Sequence, residues 1–293
     1  DFREALLHVE WGEQALIEAL EALDLPALQA WAQSFWQEAT AETLVYGNYT
    51  PDKVEAVAQR VGVLLAAGDM PELRPLQVTR LGAGEALQLV VDVPHDDAVV
   101  GWYLQGEGNA WSDRAATALT AHIISTGFYQ QLRTEQQLGY VVSAFAWPQL
   151  DVPGLMLLIQ SPNAEAPAIV EAIELYMSGV VASLDEAQFL RYRESLVGEI
   201  KRPDKNLWER AEFYWQSIAK RETAFDGRQQ MADAVQAISL GEWQLYFQRV
   251  FREQAHSLLV VAPGKTGAVP QGHGKAVDSA AALKAAAGVY TID

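Results

Sequence analysis

Apolar side chains recur at three- and four-residue spacing over residues 13–22, the period of one helical face. Asp24 then stands as an N-cap for LPALQAWAQSFWQEA, in which Leu28, Trp31, Phe35 and Trp36 keep helical spacing, so a helix is predicted over about 25–38. The stretch ETLVYGN (42–48) is short, β-prone and closed by Gly47, and reads as a strand. Thr50 followed by Pro51 is a cap with a first-turn proline, opening a helix through DKVEAVAQRVGVLLAAG. Residues 69–75 have linker character, and a new domain with strands at 87–93 and 99–104 is predicted beyond them. Ser112 is placed to cap a long helix through ATALTAHIISTGFYQQLR, which Gly139 ends. YVVSAFAWP and GLMLLIQSP follow as alternating strands paired across the turn at 151–154. Helical periods fill 165–251, with breaks near Leu184, Pro203 and Gly227. A last strand is predicted at 257–261, before a tail rich in Gly and Ala.

Two of these segments repeat each other. ALDLPALQAWAQSFWQEATAETLVYG aligns without a gap on AISLGEWQLYFQRVFREQAHSLLVVA, placing Asp24 on Ser239, Leu25 on Leu240, Trp36 on Phe251 and Leu44 on Leu259. Each copy reads as a capped helix leading into a strand, so Val45 and Val260 are expected on equivalent strands of two sheets. The second copy follows a full set of strands and helices and the first has almost nothing before it. Residues 1 to about 68 therefore read as the tail of a duplicated domain whose head is missing, and the sequence as a fragment.

Composition narrows the chemistry. The 293 residues are half apolar and one-fifth charged, as in folded globular proteins, and no apolar run approaches the roughly 18 residues of a membrane span. A net charge of −17 repels phosphate backbones and anionic lipids, which argues against nucleic-acid and membrane partners. The absence of cysteine excludes disulfides, thiolate metal sites and a cysteine nucleophile, and leaves the compartment open. His8, His95, His122, His256 and His273 stand singly, with neither H-E-x-x-H nor H-x-x-E-H among them, so no metal ligand is assigned in this chain. His122, inside an apolar helix, reads as a partly buried, satisfied side chain. PGKTG at 263–267 is a loop, because the Walker pattern requires glycine where Leu259 stands. The acidic pairs Asp96–Asp97 and Asp185–Glu186 read as solvated or helix-start charges without a chemical role.

FYQQLRTEQQLGYVV (128–142) differs from the rest. It sets Arg133 at a helix end and Tyr140 just after Gly139, so that a five-donor cation and a phenol can project from one junction, able to hold a peptide carbonyl and stabilise an oxyanion. Spacing alone favours a plainer arrangement, with Arg133 paired to Glu135 or Asp151 and Tyr140 packed as an ordinary strand residue.

LRTEQQLGY, with YVVSAFAWP, the IQSP after the next strand and the VYGNYT of the first part, resembles the C-terminal half of the pitrilysin and insulysin zinc metalloproteases over about 20–262. The resemblance implies an α/β (α+β) fold of two homologous units of antiparallel-rich sheet packed with helices, as in the metalloprotease-like LuxS/MPP-type fold, the first unit truncated. It divides the chain into residues 1–70, the C-terminal part of a first α/β domain; 71–265, a second domain carrying the motif; and 266–293, a tail with room for a short helix. It also implies a protease of four such domains in two halves enclosing a chamber. Zinc, its activating glutamate and the H-x-x-E-H motif then lie in an N-terminal half that would be this chain's partner, beside peptide substrates. Arg133 and Tyr140 take the family's substrate-binding and transition-state roles, Leu132, Gln137, Leu138 and Gly139 support their turn, and this chain alone carries neither catalytic residue nor cofactor. The alternative is a free-standing binding or assembly subunit on an inactive scaffold of the same kind.

Overall fold

The structure, a computed structural model, describes residues 2–65 and 75–292. The chain opens with helices α1 (Phe2–Leu6), α2 (Glu13–Glu21), α3 (Leu25–Glu38) and α4 (Pro51–Leu64), followed by strands β1 (Leu76–Arg80), β2 (Ala86–Val90) and β3 (Ala98–Gln105). Helix α5 (Trp111–Phe128) runs into a π-helical turn, Tyr129–Glu135, before strands β4 (Val141–Ala146) and β5 (Gly154–Ser161). Five helices come next: α6 (Ala166–Gly179), α7 (Glu186–Ile200), α8 (Leu207–Ala219), α9 (Gly227–Ala237) and α10 (Leu240–Gln248). A second π-helical turn, β6 (His256–Ala262), β7 (Lys275–Val277), α11 (Ala280–Ala286) and β8 (Gly288–Ile292) complete the described chain.

The chain divides into two compact units, the first comprising 1–10, 76–202 and 228–292, the second 11–75 and 203–227. Unit 1 is built on a six-stranded sheet in the order β4–β5–β3–β6–β2–β7, in which β2 is parallel to β6 and β7 and all other neighbours are antiparallel. Alternation along the central strands sorts their side chains onto two faces. Val100 and Leu104 of β3 with Leu259 and Val261 of β6 join a core with α5, α6, α7 and α10, centred on Phe128, Leu132, Phe189 and Trp243. Tyr103, Leu258 and Val260 face the other way, into a core with α1 and α11. Every residue of β6 is buried, as expected of a strand covered on both faces. A separate two-stranded antiparallel sheet pairs β1 with β8.

Unit 2 contains α2, α3, α4 and α8. Two of its helices, α3 and α8, are capped by side chains, with Asp24 accepting the Ala27 N–H at 2.8 Å and Asn206 the Glu209 N–H at 2.9 Å. Among its described residues, however, no large apolar side chain is fully buried.

The mixed α/β class is borne out, as are the helices at 25–38 and from Pro51, the paired strands after Gly139 and the final buried strand. Three expectations fail. The segment 42–48 forms no strand. Tyr46 packs edge-on against Tyr214 at 5.3 Å, Glu42 pairs with Arg221, and among the described residues no strand lies alongside to complete a ladder. Val45 and Val260 thus occupy unlike environments, which overturns the expectation that both copies of the repeat lead into a sheet. Ser112 is not the cap of α5, which starts two residues earlier than such a cap would set it, after Ala110, with Trp111 as its first residue and the Arg114 guanidinium 3.8 Å above the Trp111 ring. In the tail beyond Gly264 the short helix for which there was room is α11, and it is flanked by two strands the sequence did not suggest, β7 and β8. Of the linker expected at 69–75, all but Pro75 lies outside the described residues.

Candidate functional site

The motif of residues 132–140 is a junction between helix and strand, and each of its residues has a structural reason. Tyr129–Glu135 winds as a π-helix, a rare form that often accompanies functional sites, and this turn packs against β4. Leu132 is fully buried and anchors the turn in the core. Its carbonyl accepts the Leu138 N–H at 3.0 Å, while Gln137 reverses the chain in the left-handed region at φ 52°. The turn is therefore made by Gln137. Gly139 serves a different need, since a Cβ there would stand 2.1 Å from the carbonyl oxygen of Gln160 on the neighbouring strand. Only glycine lets the two backbones approach so closely.

Arg133 lies in the last turn of the π-helix, where the helix dipole favours a cation. It is half-buried and makes no hydrogen bond or ion pair with any described residue. Both expected internal partners are otherwise engaged: Glu135 accepts from Gln130 at 3.5 Å, and Asp151 pairs with Arg114 at 3.4 Å.

Tyr140, 52% exposed, does have a partner. Its hydroxyl donates to Asp97 Oδ2 at 2.6 Å, and Gln160 Nε2 donates to the same Oδ2 at 3.0 Å and to the Tyr140 oxygen at 2.5 Å. Sheet register explains the meeting. β5 lies between β4 and β3, with Val141 opposite Gln160 on one side and Val99 opposite Gln160 on the other. Tyr140 and Asp97 precede those two residues by one and two positions, so the starts of two strands converge on the end of the third. Asp97 is only 9% exposed, its N–H donates to His95 Nδ1 at 3.0 Å, and that nitrogen lies 3.9 Å from Asp97 Oδ1. The Tyr140 hydrogen bond, aided by Gln160, His95 and Lys265 against the opposing effect of burial, holds the Asp97 carboxyl below its ordinary range. Reciprocally, the bond to Asp97 raises the Tyr140 phenol above its ordinary value, and burial and the carboxylate's charge act in the same direction.

Sequence reasoning assigned Asp97 no chemistry, and Gln160 entered only as part of IQSP. The readable signal was an acid set flush against the apolar run AVVGWYL, where a solvated charge is out of place. Ser161, the next residue of IQSP, accepts the N–H groups of Asn163 and Ala164 at 3.1 and 2.7 Å and closes the strand. His122 stands as expected, partly buried, edge-on to Tyr192 at 6.1 Å and 3.9 Å from Glu199. Among the described residues no group of three or more His, Asp or Glu side chains is placed to hold a metal ion. A zinc centre does not fit these residues.

Known proteins share parts of this sequence and its fold. Residues 119–215 match the family profile described as PQQ synthase PqqF-like, C-terminal lobe domain 4. The chain is 24% identical over 273 residues to insulin-degrading enzyme of Drosophila melanogaster, which covers 88% of this chain and 27% of the relative. It thus spans about a quarter of the length of that curated relative. The crystal structure of pitrilysin superposes with a TM-score of 0.86 at 20% identity, covering 97% of this chain and 31% of that one. A peptidase M16 inactive domain from Pseudomonas fluorescens superposes with a TM-score of 0.63 at 12% identity, over 86% of this chain and 60% of that one. The fold is that of the peptidase domains, and its helix–strand junction carries an arginine and a tyrosine on an apolar-anchored turn. In sequence and fold the chain is similar to the C-terminal part of insulinase/pitrilysin-family proteases.

Proposed function

We propose that this chain is the non-catalytic, substrate-binding C-terminal part of a pitrilysin-like zinc metalloendopeptidase that degrades peptides in a closed chamber. In this reading zinc and the hydrolytic residues reside in an N-terminal half of the same protein, the chain's partner. Residues 1–70 are the end of a preceding α/β domain, 71–265 the domain with the motif and 266–293 its tail. This is a division by ancestry, since α1 packs in the core of unit 1. The observation that carries the reading is Arg133, a half-buried guanidinium on a rigid π-turn with no internal partner among the described residues. Such a group is poised for a carbonyl or carboxylate brought from outside. Tyr140, half-exposed at the adjoining strand, supplies a hydroxyl for the same backbone. The exposed apolar stripe of α3, with Leu28, Trp31 and Trp36 44–59% exposed, is the face the remainder of the protein would cover.

The alternative, a binding or assembly subunit, is favoured by the likeness to a domain described as inactive. Hydrolysis of oxidised insulin B chain, a probe suggested by the relative's name, separates the two. The chain alone is expected to cleave nothing and to retain no stoichiometric zinc, and the complete protein to cleave the probe. In the complete protein Tyr140→Phe should lower turnover by roughly 10² to 10³, the range for loss of one oxyanion donor, and Arg133→Ala should in addition raise KM. Chelator-sensitive cleavage by the chain alone, or wild-type kinetics in both variants with unchanged melting temperatures, would end the reading. A complete protein that binds zinc yet cleaves nothing would favour the alternative.

A further inference from the structure

The hydrogen-bond capacity of Tyr140 is largely committed. A tyrosine hydroxyl has one proton to give and two lone pairs to offer. Asp97 Oδ2 takes the proton at 2.6 Å and Gln160 Nε2 occupies one lone pair at 2.5 Å. One lone pair is left for an outside ligand, so the phenol in this state accepts, as from a peptide N–H, and does not donate. To donate to an oxyanion it must turn its proton away from Asp97. The carboxylate it leaves is still held by Gln160 at 3.0 Å, with His95 and Lys265 the other groups acting on its charge. Among the described residues the hydrogen-bond partners of this phenol are Asp97 and Gln160, both outside the motif. Gly139 has no side chain, and Val141 belongs to β4 opposite Gln160.

We propose that Asp97 is the positioning residue of Tyr140: its carboxylate, braced by Gln160, fixes the phenol at the strand junction and holds the hydroxyl proton until a ligand oxyanion competes for it. The proposal rests on the reading of Tyr140 as a substrate-facing group. No covalent step is involved; one hydrogen bond is exchanged for another.

The test begins with the chain itself, labelled with 13Cζ-tyrosine and titrated by NMR, with Tyr140→Phe assigning the signal. The Tyr140 resonance is expected to titrate above the ordinary value of about 10 and to fall toward it in Asp97→Asn and Asp97→Ala, while the other tyrosines keep their positions as the check on folding. A Tyr140 titration unmoved by Asp97→Ala would overturn the proposal. Kinetics of the complete protein form the second arm. Asp97→Ala should lower turnover by on the order of 10- to 100-fold, as expected when a reacting group loses its placement by about 1 Å. Asp97→Asn, which keeps an acceptor of the same shape, should restore most of it. Wild-type turnover in Asp97→Ala alongside an impaired Tyr140→Phe would overturn the positioning role. An unimpaired Tyr140→Phe would instead sink the catalytic reading of Tyr140, and the titration would still decide whether Asp97 holds its proton.

Discussion

Helices α3 and α10 carry the same pattern and end in opposite circumstances. Both start from a side-chain cap, Asp24 in one and Ser239 with Glu242 in a full capping box in the other. The aligned repeat places Leu28 on Trp243, Trp31 on Tyr246 and Trp36 on Phe251. In α3 these residues are 44%, 59% and 56% exposed, and their counterparts in α10 and the π-helical turn that continues it are 0%, 8% and 2% exposed. The stripe on α10 meets α5 and the sheet, where the Trp243 indole N–H donates to Thr120 at 3.0 Å and Tyr246 bonds Thr117 at 3.0 Å. Among the described residues the aromatic contacts of the α3 stripe are internal to it, Trp31 stacking on Phe35 at 5.1 Å. An amphipathic pattern with a good cap thus specifies a helix, while what the helix buries is decided by residues far away in sequence.

The largest expected effect turns this contrast into a measurement. Trp243→Ala empties a fully buried site and removes the indole N–H that the Thr120 oxygen accepts, so it should cost about 3–5 kcal/mol in denaturant unfolding. Trp31→Ala removes an exposed ring and should change the stability of the chain by no more than about 0.5 kcal/mol. Equal losses at the two positions would break the comparison and mean that α3 is covered after all. Hydrogen exchange should agree, with α3 amides opening locally well below the free energy that releases those of β6.

Next in size is Gly139→Ala. Its new methyl carbon would meet the Gln160 carbonyl at 2.1 Å, backbone against backbone, where no flexible side chain can yield. A loss of about 1–3 kcal/mol or more is expected, with displacement of the β4–β5 pairing visible as amide shifts at Val141 and Gln160. Gly198→Ala on α7, where an added Cβ meets nothing within 4 Å, is the control and should be neutral or slightly stabilising.

What could be read from the sequence follows the same division. Caps, first-turn prolines and apolar periods are local, and they located α3 and the starts of α4 and α10. β6 declared itself as an unbroken apolar run between breakers. β1 and β8 did not, because each is a strand only by virtue of the other, Leu76 pairing with Ile292 across nearly the whole chain. The strand expected at 42–48 failed for the converse reason, having β-propensity without a neighbour. In the candidate site the motif Arg133 to Tyr140 was legible as a helix–strand junction and through its resemblance to a protease family. Asp97 was not, since its place depends on β3 and β4 both flanking β5, a fact of topology that spacing along the chain does not contain.

The smallest effect concerns the hydrogen bond between Tyr140 and Asp97 and sets its pH limits. Asp97 has a folded-state pKa below its unfolded value, because the Tyr140 hydroxyl and Gln160 stabilise the carboxylate. Its contribution to stability is therefore present above the ordinary aspartate value of about 3.9 and is lost as pH falls through the depressed folded value. Tyr140 has the opposite sign. Its folded pKa lies above the ordinary value because Asp97 accepts its proton, so its contribution is present below about pH 10 and is lost as pH rises through the elevated value. Between these limits the pair should confer a small, flat stabilisation that is absent from Tyr140→Phe and Asp97→Asn. Thermal melts of wild type and both variants, compared from acid through neutral to alkaline pH, are expected to converge at the two extremes and separate between them. A difference that persists unchanged in strong acid would mean that Asp97 acts through its shape, and the charge would then have no part in holding Tyr140.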